Sequence, residues 1–281
     1  MNQKLFIFTL ATSVYNDFIQ DQINSIDNLF PNIIERNYII ITDNKHLYNK
    51  ENILSNTSLS NVFIFEIVDM LHDLIMVNRL NYMIYFLQKT NIKYNSNDLF
   101  IYIDADTKFL QKSNDFWSNF YNKIIQYDMF ITKYPLGYFQ GEYQQAKGSR
   151  ELDDFCGSYN LTKNVNWIQM SLFGGSIKML FNLYNDIYLN MLKQDLQKNI
   201  YNRHIPVLHD ESYMMKIVND NPNNYNIYVD NLSTIIFCPD YKVDPWNLTD
   251  NDMLTFFKNA IVLQKYDYCK KTNKRQIIVG K

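Results

Sequence analysis

Apolar runs alternate with amphipathic stretches from the start of the chain. Lys4–Ala11 (KLFIFTLA) predicts a strand by its unbroken apolar run and β-propensity. Tyr15–Phe30 places Phe18, Ile19, Ile23, Ile26 and Phe30 at helical spacing, and Pro31 stops that helix. Asn37–Asp43 (NYIIITD) and Asn61–Val68 (NVFIFEIV) predict the second and third strands. Asp69–Lys89 carries Leu71, Leu74, Ile75, Leu80, Ile84 and Leu87, which predicts one long helix. Leu99–Ile103 (LFIYI) predicts a buried strand that runs into Asp104-Ala105-Asp106. The order β-α-β-β-α-β predicts an α/β class, with a mostly parallel twisted sheet flanked by helices.

The second half is less regular. A short helix is expected over Asp115–Ile125 and a strand over Tyr127–Lys133. Tyr134–Asn166 has scattered Pro and Gly and little periodicity, so it is expected to be a functional lid or disordered, and in part mobile without ligand. Trp167–Phe173 predicts a strand closed by Gly174-Gly175. Lys178–Leu196 predicts a helix with Leu180, Leu183, Tyr184, Ile187 and Met191 on one face. In His204–Val218, Asp210, Glu211 and Ser212 fall where a helix begins, and an acidic N-cap is their plain structural reading. Tyr225–Val229 and Thr234–Phe237 are expected as short strands, and a helix near Asp250–Val262. No internal repeat or linker-like composition shift interrupts the chain, so one domain over residues 1–281 is expected.

Composition narrows the function classes. The chain has 281 residues, 47% hydrophobic and 20% charged, with net charge −2, and lacks the basic excess of a nucleic-acid protein. Three cysteines (Cys156, Cys238, Cys269) at long spacings make neither a disulfide framework nor a zinc pattern, and a reducing compartment is the simplest home. The N-terminus reads as a first strand rather than a signal peptide, and no apolar stretch has membrane-spanning length. A soluble, cytoplasmic protein is expected, with peripheral membrane contact left open. The few histidines are not at ligand spacing, so His72 and His209 suggest no transition-metal site.

The chemistry concentrates at Asp104 and Asp106. Residues two apart in a strand share a face, so both carboxylates are expected to leave the strand's end on one side. The carboxyl end of a strand in an open α/β sheet is where such folds bind ligands. Two carboxylates there can hold a hard divalent cation, and the cation a diphosphate. A bare D-x-D is also compatible with an acidic turn of solvated carboxylates.

Three motifs occur in order: IDAD at Ile103–Asp106, LFGGS at Leu172–Ser176 and HDES at His209–Ser212, followed by CPDYKVD at Cys238–Asp244. Together they resemble glycosyltransferase family six, which includes the histo-blood-group A/B transferases and α-1,3-galactosyltransferase. The likeness runs from about the first strand to Asp244. It implies a GT-A-type single domain with a Rossmann-like N-terminal half. Residues 1–133 would form the nucleotide-sugar-binding half and 134–281 the acceptor and catalytic half. Asp104 and Asp106 match the D-x-D that engages Mn²⁺ and the UDP diphosphate. Leu10, Ala11, Thr12 and Tyr15 fall where the family cradles uridine. Asp73 and Arg79 resemble the family's HD…MMRM helix facing the donor, although HDLIMVNRL brings Arg79 one residue late. Gln169 and Ser171 match positions that separate Gal from GalNAc donors. His209, Asp210 and Glu211 match the HDE residues, where the Asp contacts the donor sugar and the Glu is the candidate nucleophile or transition-state stabiliser. Asp244 matches a carboxylate on the acceptor side.

The departures carry meaning too. Mammalian members carry an N-terminal anchor and stem before the first strand; this sequence starts at that strand, so a bacterial or phage-type member is expected. Many bacterial members carry Asn-x-Asn and need no metal, but both aspartates here imply dependence on Mn²⁺ or another divalent cation. The family's tryptophan before HDE is Leu208 here. Trp167 and Trp246 suit sugar stacking or core packing equally. Lys270, Lys271, Lys274 and Arg275 read as a solvated basic run; the resemblance adds a segment that orders over UDP. The implied activity is retaining transfer of Gal or GalNAc from a UDP-sugar donor to a galactose-type hydroxyl of a glycan or oligosaccharide acceptor, in α linkage. Two other readings stay open: a retaining GT-A hexosyltransferase using UDP-Glc or UDP-Gal, and an idle sugar- or nucleotide-binding protein.

Overall fold

The apolar runs that stand out in the sequence become the adjacent central strands of one sheet. The computed structural model describes residues 3–27, 35–48, 60–68, 72–105, 107–109, 121–133, 168–193, 195, 210–220, 225–230, 235–237 and 262–264. Its strands are β1 (Lys4–Ala11), β2 (Glu35–Thr42), β3 (Ser60–Glu66), β4 (Leu99–Ile103), β5 (Thr107–Phe109), β6 (Met129–Lys133), β7 (Ile168–Ser176), β8 (Ile227–Asp230), β9 (Ile235–Phe237) and β10 (Val262–Gln264). Seven of them form a mixed sheet in the order β3-β2-β1-β4-β7-β6-β8, and β5-β10-β9 form a second, smaller sheet. In the large sheet β1, β2, β3 and β4 run parallel, β7 runs antiparallel to both neighbours, and β6 and β8 are parallel. This is an α/β architecture with a mostly parallel sheet.

Both faces of the sheet are covered, which is why β1, β2 and β4 tolerate no alternation with polar residues. The helices are α1 (Ile19–Asp27), α2 (His72–Val77), α3 (Arg79–Lys89), α4 (residues 121–126), α5 (Ile177–Leu183) and α6 (Asp210–Asp220). Phe6, Phe8, Ile39, Phe100, Tyr102 and Phe173 pack with Leu80, Met83, Leu87, Leu180 and Met214 of α3, α5 and α6. The alternate residues Leu5, Ile7, Ile40, Ile101, Ile103 and Leu172 pack with Ile19, Ile23 and Ile26 of α1 and Ile124 of α4. The side-chain period of two along each strand sorts the residues between these two cores.

Several expectations meet local corrections. The stretch ahead of α1 is a tight 3-10 turn over Ser13–Phe18. The expected single helix over Asp69–Lys89 is two. Asn78 lies at φ −94° and ψ 5° in the N-cap position of α3, with no side-chain cap hydrogen bond, so Arg79 becomes that helix's first residue. After α5 the chain widens into a π-helix over Tyr184–Leu192, with the Lys193 N–H reaching the Tyr188 carbonyl five residues back. Tyr184 and Tyr188 stack there at 5.2 Å. Val262, expected to end a helix, begins strand β10. The lid expected over Tyr134–Asn166 and the basic run at Lys270–Arg275 lie outside the described residues.

Gly174 and Gly175 do not close their strand. They sit inside it, opposite Phe130 and Met129 of β6. A Cβ built on Gly175 would lie 2.6 Å from the Asp128 carbonyl oxygen, a backbone atom that cannot swing aside. Ser176 caps α5, its hydroxyl accepting from the Met179 N–H at 3.1 Å. Gly175→Ala is therefore expected to lose about 1–3 kcal/mol of stability by overpacking. Urea unfolding checks this, and a wild-type midpoint would show that the β6–β7 approach has slack.

Candidate functional site

The site forms at the carboxyl ends of β1 and β4. The chain leaves β1 for β2 on one side and later returns to β4 on the other, so the strand order reverses between them. At such a switch point the connections diverge and open a crevice. The Leu10–Thr12 stretch closes β1 there, and Asp104 follows directly on β4.

Asp104 is held along its backbone and at its side chain. Its N–H donates to the Ser171 carbonyl at 2.9 Å, and its carbonyl accepts from the Thr107 N–H at 3.0 Å and from Gln22 Nε2 of α1 at 2.6 Å. The Tyr102 hydroxyl donates to Asp104 Oδ1 at 3.0 Å. The expectation that Asp104 and Asp106 share a strand face needs a continuing strand. β4 ends at Ile103, and the Thr107 N–H turns back onto the Asp104 carbonyl. Asp106 lies outside the described residues.

Beneath Asp104 lies a buried guanidinium. Arg79 is 2% exposed. Its Nε is 2.5 Å from Asp210 Oδ2, and its Nη1 is 3.6 Å from Asp104 Oδ1. Nη1 also donates to the Met170 carbonyl at 2.8 Å, and the guanidinium carbon sits 4.7 Å from the Tyr102 ring centroid. A cation at a helix's first residue opposes the helix dipole, so the carboxylates around it supply the compensation. Asp210 and Glu211, in the first turn of α6, have the favourable end of theirs.

A β-bulge makes these contacts reachable. The β6–β7 register jumps between Ile131 and Thr132, passing from Phe173 to Gln169 on β7. Bulges free ladder groups and re-aim them. Here the Met170 N–H donates to Glu211 Oε1 at 3.0 Å, while the Met170 carbonyl takes Arg79. The same segment supplies the Ser171 carbonyl to Asp104 and the Leu172 carbonyl to Thr132 Oγ1.

The Arg79 guanidinium thus pairs with Asp210 and Asp104, and the Glu211 charge adds to the field around it. Burial alone would lower the pKa of Arg79, but Asp210, Tyr102, Asp104 and Glu211 raise it and hold it charged. Asp210 is fully buried and bears the cost: desolvation, with the Asp104 charge adding to it, pushes its carboxyl up to about 6 against the pull of Arg79. Its close partner is Arg79 Nε, and its own helix-start backbone also favours the charged form. Burial also raises the Tyr102 phenol well above its ordinary value, so it remains a donor.

Asp104, Arg79, Asp210, Glu211 and Ser171 are therefore brought together from four separate segments. Leu10, Ala11 and Thr12 stand at the same strand ends, but each is under a tenth exposed, so they offer mainly backbone to a ligand. Tyr15 is half-buried just beyond them, its N–H donating to the Thr12 carbonyl at 3.1 Å. Asp73 lies in α2 and Gln169 in β7. Trp167, His209 and Asp244 lie outside the described residues. Among the described residues no group of three or more His, Cys, Asp or Glu side chains is arranged to hold a metal ion, and no helix is long and apolar enough to cross a membrane. Gln22, Tyr102 and the Met170 backbone were not expected at the site. Tyr102 had a readable signal, since it stands two residues before Asp104 on one face. Backbone groups at a bulge leave no mark in side-chain patterns.

No protein-family model matches the chain, and no curated protein matches it.

Removing one partner of a buried ion pair leaves the other charge uncompensated. Arg79→Met is expected to cost roughly 3–5 kcal/mol. Adding Asp210→Leu should restore a large part of that loss, because the stranded carboxylate is then gone. Denaturant unfolding of both single variants and the double variant checks the coupling. Additive losses would show that the pair is not a unit.

Proposed function

We propose that the chain is a metal-dependent retaining glycosyltransferase that moves galactose or N-acetylgalactosamine from a UDP-sugar to a galactose-type hydroxyl of a glycan. The observation that carries this reading is the meeting of Arg79, Asp210 and Glu211, around the end of β4 and the β7 bulge, with Asp104, which itself lies at the switch point between β1 and β4. These residues come from stretches of the chain that resemble separate motifs of glycosyltransferase family six, and nothing in their sequence separation requires them to meet.

The donor set suits a hard divalent cation, because Asp104 and Asp106 offer carboxylate oxygens and no sulfur or imidazole. The Asp104 side chain is one-fifth exposed, which supports the same reading. When bound, the cation supplies positive charge against the diphosphate as it leaves. Arg79 is too buried to lie against the diphosphate as a surface contact. Its role in this reading is to hold Asp210 and the Met170 segment in place beneath Asp104.

The anomeric carbon of the donor gains positive charge as its bond to the diphosphate breaks and the electron pair departs with UDP. A carboxylate on the opposite face either attacks that carbon or stabilises its charge until the acceptor oxygen bonds to it. Glu211 is suited to this task. Its Oε1 is anchored by the Met170 N–H and its carboxylate is only partly buried. The acceptor hydroxyl gives up its proton as its oxygen bonds to the sugar, and departing UDP can take it.

Release of UDP from UDP-GalNAc, UDP-Gal, UDP-Glc and UDP-GlcNAc, each with Mn²⁺ and with EDTA, tests the proposal. Slow Mn²⁺-dependent hydrolysis of a galacto-configured donor is expected. Glu211→Gln should keep UDP affinity close to wild type and lose about 10²-fold or more of the turnover. Full turnover in that variant would remove the role given to Glu211. Activity that survives EDTA would remove the role given to Asp104 and Asp106.

A further inference from the structure

Within strand β4, Tyr102 is the one residue that carries a polar group into the buried face. Its neighbours Leu99, Phe100, Ile101 and Ile103 are apolar, and a phenylalanine would fill the same place in the core. The hydroxyl is not spare. It donates to Asp104 Oδ1 at 3.0 Å. The ring that carries it is fully buried and packed by two close neighbours. Phe173 stacks on it at 5.3 Å and 25°, and the Arg79 guanidinium lies 4.7 Å from its centroid.

Arg79 Nη1 stands 3.6 Å from the same Asp104 oxygen. That distance is long for a charge-assisted hydrogen bond, which closes to about 2.7–2.9 Å when nothing opposes it. Nη1 donates instead to the Met170 carbonyl at 2.8 Å, and the neutral hydroxyl is nearer to the carboxylate oxygen. A closer Arg79 contact would draw Asp104 down into the ion pair with Asp210. The hydroxyl, fixed by its packed ring, holds the carboxylate at the crevice instead.

We propose that Tyr102 is a positioning residue, which sets the Asp104 carboxylate for cation and diphosphate binding and keeps it from collapsing onto Arg79. This rests on the metal-dependent reading of the site above.

The test is UDP affinity by calorimetry at a series of Mn²⁺ concentrations and in EDTA, for wild type, Tyr102→Phe, Asp104→Asn and the double variant. Thermal unfolding without ligand is measured alongside. Tyr102→Phe keeps the ring, and unfolding should move by no more than the loss of one hydrogen bond. UDP affinity with Mn²⁺ should fall about tenfold or more, since a hydrogen bond to a charged group is lost. Affinity in EDTA should not change. In the Asp104→Asn background, Tyr102→Phe should have no further effect. Wild-type affinity for UDP and Mn²⁺ in Tyr102→Phe would overturn the proposal, and so would equal losses in both backgrounds. A wild-type protein that binds UDP no better with Mn²⁺ than with EDTA would overturn the metal reading itself, and the proposal with it. That outcome is read on wild type alone.

Discussion

The buried guanidinium of Arg79 is the constraint around which the site is built. An isolated charge in a protein interior is costly, and it persists only where ion pairs and hydrogen bonds replace its hydration. Arg79 finds Asp210 at 2.5 Å, the Met170 carbonyl at 2.8 Å and the face of Tyr102. Those partners belong to α6, β7 and β4. One side chain at the first residue of α3 thereby ties together the elements that carry the candidate chemistry.

The fold supplies the place and the bulge supplies the reach. Strand order reverses between β1 and β4, and the position where such sheets take their ligands falls beside Asp104. In a regular ladder the N–H and carbonyl of Met170 would be spent on neighbouring strands. The register jump in β7 lets them serve Glu211 and Arg79. A carboxylate with one oxygen anchored can act as a fixed charge opposite a reacting carbon, which is what retaining sugar chemistry asks of it. Placement of this kind depends on rigid elements, and Glu211 sits in the first turn of a helix whose next residues are buried.

Much of the sheet was legible because its strands are buried on both faces. Lys4–Ala11 and Leu99–Ile103 announce themselves by unbroken apolar runs, and the alternation of helices between them fixes the class. What was hidden depends on three dimensions. The pattern across Asp69–Lys89 is continuous, so nothing in it marks Asn78 as the break that turns Arg79 toward the sheet. Gly174 and Gly175 look like a strand terminator until the Asp128 carbonyl is found against Gly175. Arg79 carries a charge, and a charge predicts exposure, so its burial could not be read before its partners were placed. Tyr102 passed as a core aromatic because its ring is one. The convergence of IDAD, Arg79 and HDES was expected only from the resemblance, and their sequence spacing alone carries no such statement.

The central proposal is that Tyr102 holds Asp104 above the Arg79–Asp210 pair so that a divalent cation and a diphosphate can seat on it. Anomalous diffraction at the manganese edge, from crystals grown with UDP and Mn²⁺, tests it most directly. The account predicts a manganese peak bonded to the Asp104 carboxylate at the carboxyl ends of β1 and β4, with the diphosphate on it and the Arg79–Asp210 pair intact beneath. UDP bound in that crevice with no manganese on Asp104, or manganese bound at a different part of the chain, would contradict it.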